Sequence, residues 1–124
     1  MRYIMAALLV LMSGSVSAHS WTPTYPKLEP AYVDGVLTTR MLLFNVRTDV
    51  EYFEISVWDA DWNPVRFATP ERIVRVAHLE RKNIDIYIRE QDRRKAVYVC
   101  SKSKLLRDSS SATLISSRIC SKIK

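Results

Sequence analysis

The feature of the sequence that most constrains the fold is one short segment of alternating apolar and polar residues, Tyr52-Phe53-Glu54-Ile55-Ser56-Val57-Trp58. A period of two residues is typical of a β-strand with one buried face and one solvent-exposed face. The alternation ends at Asp59, where aspartate, asparagine and proline follow close together and indicate a turn. We therefore expect a central strand here, with other strands packed around it.

Several other segments have strand character. Segment 82–88 repeats the alternation with isoleucines on one face, and 41–44 is a continuous apolar run typical of a strand covered on both sides. Asp34-Gly35 indicates a turn or a bulge. No segment shows a convincing helical period. The predicted strands are 31–47 (a strand pair or one bent strand), 51–58, 64–67, 73–76, 82–88, 96–100 and 113–123.

This pattern predicts an all-β fold, a single immunoglobulin-like β-sandwich of about seven strands over residues 31–124. The preceding segment, 19–30, contains three prolines, Pro23, Pro26 and Pro30. Because proline has no backbone donor, we expect 19–30 to be an extended, irregular arm.

The first eighteen residues have the layout of a secretory signal peptide, with a positive start, an apolar run at 4–12 and the small residues Val16-Ser17-Ala18 at the end. The apolar run is short for a bilayer span, although an anchoring helix is an alternative. Cleavage after Ala18 would produce a secreted or periplasmic protein without a membrane span. Loss of Arg2 lowers the net charge from +6 to +5, which favours acidic partners in general.

The chain has two cysteines, Cys100 and Cys120. In an exported protein, a pair with no leftover thiol indicates one disulfide, here joining the last two predicted strands. A zinc site or a redox motif is a weaker interpretation, because no histidine lies nearby and the spacing is not Cys-x-x-Cys.

The order of the segments is specific enough to suggest a family. Five blocks have the same order as strands and turns in a known fold: Leu43-Phe44-Asn45, the segment 52–58, Pro64 to Pro70, Ile73 to Val76, and Leu79 to Ile88. Over about 31–101 the chain resembles the first domain of PapD-like periplasmic chaperones, and more distantly the major-sperm-protein branch of the same fold.

The resemblance implies a mode of binding. In the chaperone family an exposed edge strand pairs with a partner subunit, and two basic residues grip the partner's terminal carboxylate. Lys27, Arg40 and Lys102 are the candidates by residue type for that grip. The chaperones also have a second sandwich domain, which this sequence does not include.

The chain also resembles small exported proteins of unknown role encoded by marine tailed phages. This second resemblance extends to the tail segments Tyr98-Val99-Cys100-Ser101 and Ser117 to Lys122. It implies no mechanism, but it is compatible with a structural component of a virion or an envelope assembly.

The expected function is a small exported binding or assembly protein that pairs with another protein through a sheet edge. The residues predicted to contact the partner at the sheet edge are Phe44, Asn45 and Arg47, together with Val97 and Val99 in the segment 97–101. We expect no enzymatic activity, because no catalytic motif occurs, and no cofactor.

Three further sites each have a possible binding function and a simpler structural explanation. An exposed His19 at the mature terminus could chelate copper(II) through its amine and imidazole, although only His78 remains as a second imidazole. Asp59-x-Asp61-x-Asn63 matches half of a calcium loop, but Pro64 and Pro70 stand where glycine and glutamate belong. The basic stretch 81–95 has mixed charges and no interleaved aromatics, so we expect a solvated loop and no nucleic-acid partner.

Overall fold

A computed structural model of the chain describes residues 19–104 and 117–124. The predicted signal peptide lies outside these residues. The described part is almost entirely β-structure, with one short 3₁₀ helix at Glu90–Asp92. The strands are β1 (Ser20–Thr22), β2 (Glu29–Pro30), β3 (Val36–Phe44), β4 (Tyr52–Trp58), β5 (Ile73–Arg75), β6 (Arg81–Arg89), β7 (Tyr98–Lys104) and β8 (Arg118–Lys122).

The strands form two antiparallel sheets that face each other. In the first sheet β3 is central: it pairs with β6 from Val36↔Arg89 to Phe44↔Arg81, and with β1 and β2 on its other side. The second sheet has the order β5-β4-β7-β8. The predicted immunoglobulin-like β-sandwich is therefore confirmed.

Alternation places one face of each strand in the core. In β4 the side chains of Phe53, Ile55 and Val57 are at most 2% exposed, while their neighbours in the strand are partly exposed. Burying each such side chain contributes roughly 1.5–3 kcal/mol to folding. The core is continued by apolar side chains from the other strands and the arm, among them Trp21, Leu37, Met41, Leu43, Val74, Ile84, Ile86, Ile88 and Val99.

The arm at 19–30 is more regular than its prolines suggest. Its ends form β1 and β2, which both pair with β3. Between them, the carbonyls of Thr24 and Pro26 accept hydrogen bonds from the backbone N–H groups of Lys122 and Lys124 at the edge of the second sheet. The indole of Trp21 also donates to the carbonyl of Val99 at 3.1 Å. The arm therefore joins the two sheets along one side of the sandwich.

Two strand predictions need correction. Segment 64–67 is not a strand: Pro64 and Ala68 form only isolated bridges, to Trp58 and Tyr87. Proline cannot donate to a ladder, so pairing does not extend through this segment. Strand β7 begins two residues later than predicted and continues to Lys104. Of the predicted strand 113–123, residues 117–123 are described and β8 occupies Arg118–Lys122.

The turn at Asp59 explains the calcium-like motif without a metal. One carboxylate oxygen of Asp59 accepts the backbone N–H groups of Asp61 and Asn63, at 2.9 and 2.8 Å. These bonds lower the pKa of Asp59, that of Asn63 contributing most. The aspartate therefore holds the turn, as aspartates commonly do.

Cys100 and Cys120 form the expected disulfide between directly opposed residues of β7 and β8, with Cα atoms 4.1 Å apart.

Among the described residues, no helix has the length and apolar character needed to cross a membrane.

Replacing both cysteines, as in Cys100→Ala/Cys120→Ala, should lower the free energy of unfolding by about 3 kcal/mol, because the bridge closes a loop of 20 residues in the unfolded chain. Urea denaturation of the variant measures this difference. Wild-type protein held in reducing agent should match the variant. Two thiols that titrate in the native secreted protein would contradict the bridge itself.

Candidate functional site

The outer edge of β6 is the least covered strand edge among the described residues. On one side β6 pairs with β3 along its whole length. On the other side only Tyr87 is paired, exchanging two backbone hydrogen bonds with Ala68 at 2.8 and 2.9 Å. In an antiparallel ladder, residues of the same parity direct their N–H and C=O groups to the same side. Arg81, Asn83 and Asp85 therefore present backbone groups outward, and no described residue pairs with them.

The edge is open because the neighbouring segment turns away after Ala68. Pro70 lacks a backbone N–H group and cannot continue the pairing that Ala68 begins. The chain then crosses to β5 and leaves a slot of about 260 Å³ beside the first half of β6. Val74 and Ile84, both nearly buried, form the apolar part of its lining, with Pro70 and Lys82 among its walls.

Charges along this edge are mixed and mostly paired. Arg40 and Asp85 form an exposed ion pair at 2.9 Å, and that hydrogen bond raises the pKa of Arg40. The ammonium of Lys82 donates to the carbonyl of Arg75 at 2.9 Å. The guanidinium of Arg81 lies 4.7 Å from the ring centre of Phe44. Exposed pairs of this kind contribute little energy, so they constrain side chains at the edge without closing it.

The other long edge is covered in part. The arm bonds to β8 at Lys122 and Lys124, as described above, and β5 on the opposite side is only three residues long. A short or covered edge is a common protection against unwanted strand pairing. By comparison β6 has nine residues and one bridge, so it is the best placed strand to accept another.

The residues guessed for edge contact do not lie at an open edge. Phe44 is paired on both sides, with Ser20 and with Arg81. Val99 belongs to β7, which lies between β4 and β8, and its side chain is buried. The backbone N–H of Val97 donates to the carbonyl of Trp58 at 2.9 Å. Phe44 and Val99 therefore lie in interior strands, because β3 and β7 each have neighbours on both sides, and Val97 lies just before β7 with its N–H already bonded.

Asn45 and Arg47 are buried in a polar network at one end of the sandwich. The amide of Asn45 donates to the carbonyls of Val50 and Val76, and its oxygen accepts the N–H of Arg47 at 2.9 Å. The guanidinium of Arg47 forms an ion pair with Asp49 at 2.8 Å. Buried polar groups of this kind need such partners, so both residues have a structural role.

The three candidates for a carboxylate grip are dispersed. Arg40 is exposed on the outer face of the first sheet, whereas Lys102 is on the outer face of the second sheet. Lys27 is exposed in the arm. Because the two sheets separate Arg40 from Lys102, these two residues cannot hold the same carboxylate.

His19 is buried, not exposed. Its ring is 2% accessible and lies 4.7 Å from the ring of Phe53. Nε2 is 2.7 Å from the hydroxyl of Ser101, and Nδ1 is 3.2 Å from that of Ser117. Burial lowers the pKa of His19 to about 4, against the opposing effect of the bond to Ser101. Both nitrogens are therefore engaged in the core, and the geometry does not favour copper binding.

Stability should fall as the pH drops from about 6.5 to about 4, because the unfolded chain then binds a proton at His19 that the folded chain excludes. The loss at the acidic end is at most about 3 kcal/mol. Above that range the residue is neutral in both states and has no effect. Urea titrations at pH 7.5, 6 and 5 measure it.

The matched control for this experiment is His19→Gln, which keeps hydrogen-bonding groups but has no titrating ring. Every other ionisable residue is the same in both proteins, so only the difference between the two stability curves reports on His19. Parallel curves for wild type and variant would show that His19 is not buried in the neutral form.

Known structures share the fold of this chain but have little sequence similarity to it. The chain is similar to the crystal structure of the Escherichia coli chaperone DraB, with a TM-score of 0.61, 14% identity, and coverage of 86% of this chain and 53% of that one. It thus spans about half the length of DraB. It is also similar to PapD-like (ASH) domain 7 of human CEP192, with a TM-score of 0.55, 8% identity, and coverage of 89% and 93%.

No protein-family model and no curated protein sequence matches the chain. The structural matches show that it has a PapD-like immunoglobulin fold, as the resemblance in the sequence predicted. Sequence reasoning identified the strand at 82–88 but did not identify it as the open edge. The available signal was Pro70, which follows a strand-like segment and marks where pairing with β6 must stop.

Proposed function

We propose that this PapD-like protein is a small exported, non-enzymatic binding or assembly protein that accepts an extended segment of a partner protein along the open edge of β6. The observation that supports this most strongly is the outward main chain of Arg81, Asn83 and Asp85, which has no partner in the described part of the chain. Unpaired strand edges are a general template for adding a strand from another chain.

The mechanism would be strand addition. A partner segment that follows the direction already set by Ala68 would run antiparallel to β6 and exchange backbone hydrogen bonds with Asn83 and Asp85. Each bond contributes about 0.5–1.5 kcal/mol net, so main-chain pairing supplies affinity with little sequence preference. Alternate side chains of the partner would point to the slot beside Val74 and Ile84, where apolar residues of the right size fit best.

Other observations are consistent with this proposal. The described structural neighbours are a chaperone and a PapD-like domain, neither of which is named as an enzyme. The disulfide fits an oxidising compartment, and the sequence predicts a signal peptide at 1–18. The alternative of a structural component in a virion or envelope assembly would use the same edge within a larger particle.

Photo-crosslinking in the native host tests the proposal directly. Benzoylphenylalanine introduced in place of Asn83 should produce one discrete protein adduct, identified by mass spectrometry, because a paired partner strand lies against this position. The same probe in place of Tyr25, which is 65% exposed in the arm, is the control and should not produce that adduct. Recovery of the adduct only from purified particles would favour the structural alternative. The same adduct from both positions, or none from position 83, would refute edge pairing.

A pair of variants isolates the role of the backbone. Asn83→Pro removes an outward N–H group without removing a bond to β3, whereas Asn83→Ala keeps that group. For this comparison benzoylphenylalanine is placed at position 85 in place of Asp85, and the yield of its adduct with the partner is measured. We expect Asn83→Pro to reduce that yield by about tenfold and Asn83→Ala to leave it nearly unchanged. Circular dichroism establishes that both variants are folded. Equal yields from the two variants would show that main-chain pairing is not the mode of contact.

A further inference from the structure

The outer face of the second sheet carries an aromatic cluster formed by Trp58, Trp62 and Tyr98. The rings of Trp62 and Tyr98 are stacked, with centroids 4.4 Å apart and an angle of 2° between their planes. Trp58 meets Trp62 at 6.5 Å in a tilted arrangement. Trp62 remains 45% exposed although it is one of the largest apolar side chains. The cluster thus lies on the surface and is not part of the core.

The backbone at Trp62 is strained, and hydrogen bonds of the turn hold the residue in this conformation. Its φ is 64°, in the left-handed region that residues other than glycine rarely adopt. The turn around it is tied down by Asp59, whose carbonyl accepts the N–H of Trp62 at 3.1 Å. A glycine would fit this backbone without strain, yet the position holds a tryptophan that folds back over the sheet. Strained backbone that displays a large side chain is a frequent feature of binding sites.

Cations lie on one side of the cluster, whereas Asp59 and Asp61 lie in the turn that holds Trp62. The guanidinium of Arg118 lies 5.2 Å from the ring centre of Trp62 and 5.8 Å from that of Trp58. Lys102 and Lys122 are exposed on the same face, since they share the alternation of Tyr98 and Arg118. Among the described residues, no acidic side chain forms an ion pair with these cations.

The positive surface continues beyond the cluster into a hollow of about 520 Å³. Within the described part of the chain, its lining includes four cations, Arg93, Arg94, Lys122 and Lys124, and no acidic side chain. Arg118 and Lys122 are four residues apart on one face of β8, a separation of about 13 Å. We call Arg118 together with the four cations of the hollow, Arg93, Arg94, Lys122 and Lys124, the cationic tract.

We propose that the aromatic cluster and the cationic tract bind an acidic polysaccharide. The length of the tract fits a polymer with repeated negative charges better than a single small anion. Carboxylates of such a polymer would pair with the lysines and arginines, and the apolar C–H faces of its sugar rings would contact the exposed parts of Trp62 and Trp58.

Charge complementarity decides between this occupant and the others. An apolar protein surface would leave the cations of the tract without counter-charges, at a desolvation cost. Single-stranded nucleic acid would satisfy both the charges and the rings, because bases stack on aromatic side chains. The disulfide between Cys100 and Cys120 lies on the same strands and fits an oxidising, extracytoplasmic compartment, which favours a glycan over a nucleic acid as the polyanion.

Binding of defined polymers to the secreted, oxidised protein tests the inference. Polygalacturonate is the probe, its fully methyl-esterified form is the uncharged control with the same backbone, and oligothymidylate is the nucleic-acid arm. Isothermal titration at low ionic strength should show binding to polygalacturonate alone, weakening as salt is added.

Two variants with matched controls locate the site. Trp62→Gly relieves the strained φ and removes the ring, so the protein should remain folded and bind about tenfold more weakly. Leu79→Gly is its control, because Leu79 is also exposed with a φ of 63° but lies outside the cluster. Arg118→Gln should bind several-fold more weakly with a flatter salt dependence, whereas Arg40→Gln on the other sheet should bind normally.

Selective loss of binding in Trp62→Gly and Arg118→Gln would support the inference. Absence of binding to polygalacturonate at low salt, equal binding of the esterified polymer, or unchanged binding by Trp62→Gly would overturn it. Tighter binding of oligothymidylate would also overturn it, in favour of a nucleic-acid surface. None of these outcomes depends on whether β6 pairs with a partner strand.

Discussion

The structure depends on the burial of one row of apolar side chains from each strand between the two sheets. Phe53 and Val57 from the second sheet belong to the same core cluster as Met41 and Ile86 from the first, and all four are almost completely inaccessible to solvent. Because side chains alternate along a strand, a shift of one residue in any pairing would expose the whole row. This burial therefore sets the register of the ladders and decides which residues face solvent, including the aromatic cluster and the cationic tract.

Each sheet of the sandwich ends in strand edges, and these edges are covered on one side of the sandwich and largely open on the other. On one side the arm bonds to β3 through β1 and β2 and to β8 through the carbonyls of Thr24 and Pro26. On the other side Pro70 ends the pairing with β6 after a single bridge. Among residues 19–104 and 117–124, the asymmetry leaves one long edge with unpaired main chain, which is the physical basis for the proposed strand addition.

Residue type alone did not predict the roles of three polar residues at one end of the sandwich. The sequence suggested contact roles for Asn45 and Arg47 and a metal role for His19. In the structure all three are buried and hydrogen-bonded: Asn45 to two carbonyls, Arg47 to Asp49, and His19 to Ser101 and Ser117. Their partners come from distant parts of the chain, so no local pattern could distinguish a buried network from an exposed site.

Local patterns were sufficient to predict the fold class, the central strand 52–58, the strand at 82–88 and the disulfide partners. Period-two alternation marks strands with one buried face, and a single pair of cysteines leaves one possible bridge. These local patterns did not determine which strand would be an open edge, or that Trp62 would stack on Tyr98 beside Arg118. Those features depend on long-range pairing: β6 is an edge because Pro70 diverges from it, and the cluster assembles because β4, β7 and β8 are adjacent. Only the tertiary structure brings such distant residues together, since the pairing of strands is set by the packing of the whole sandwich.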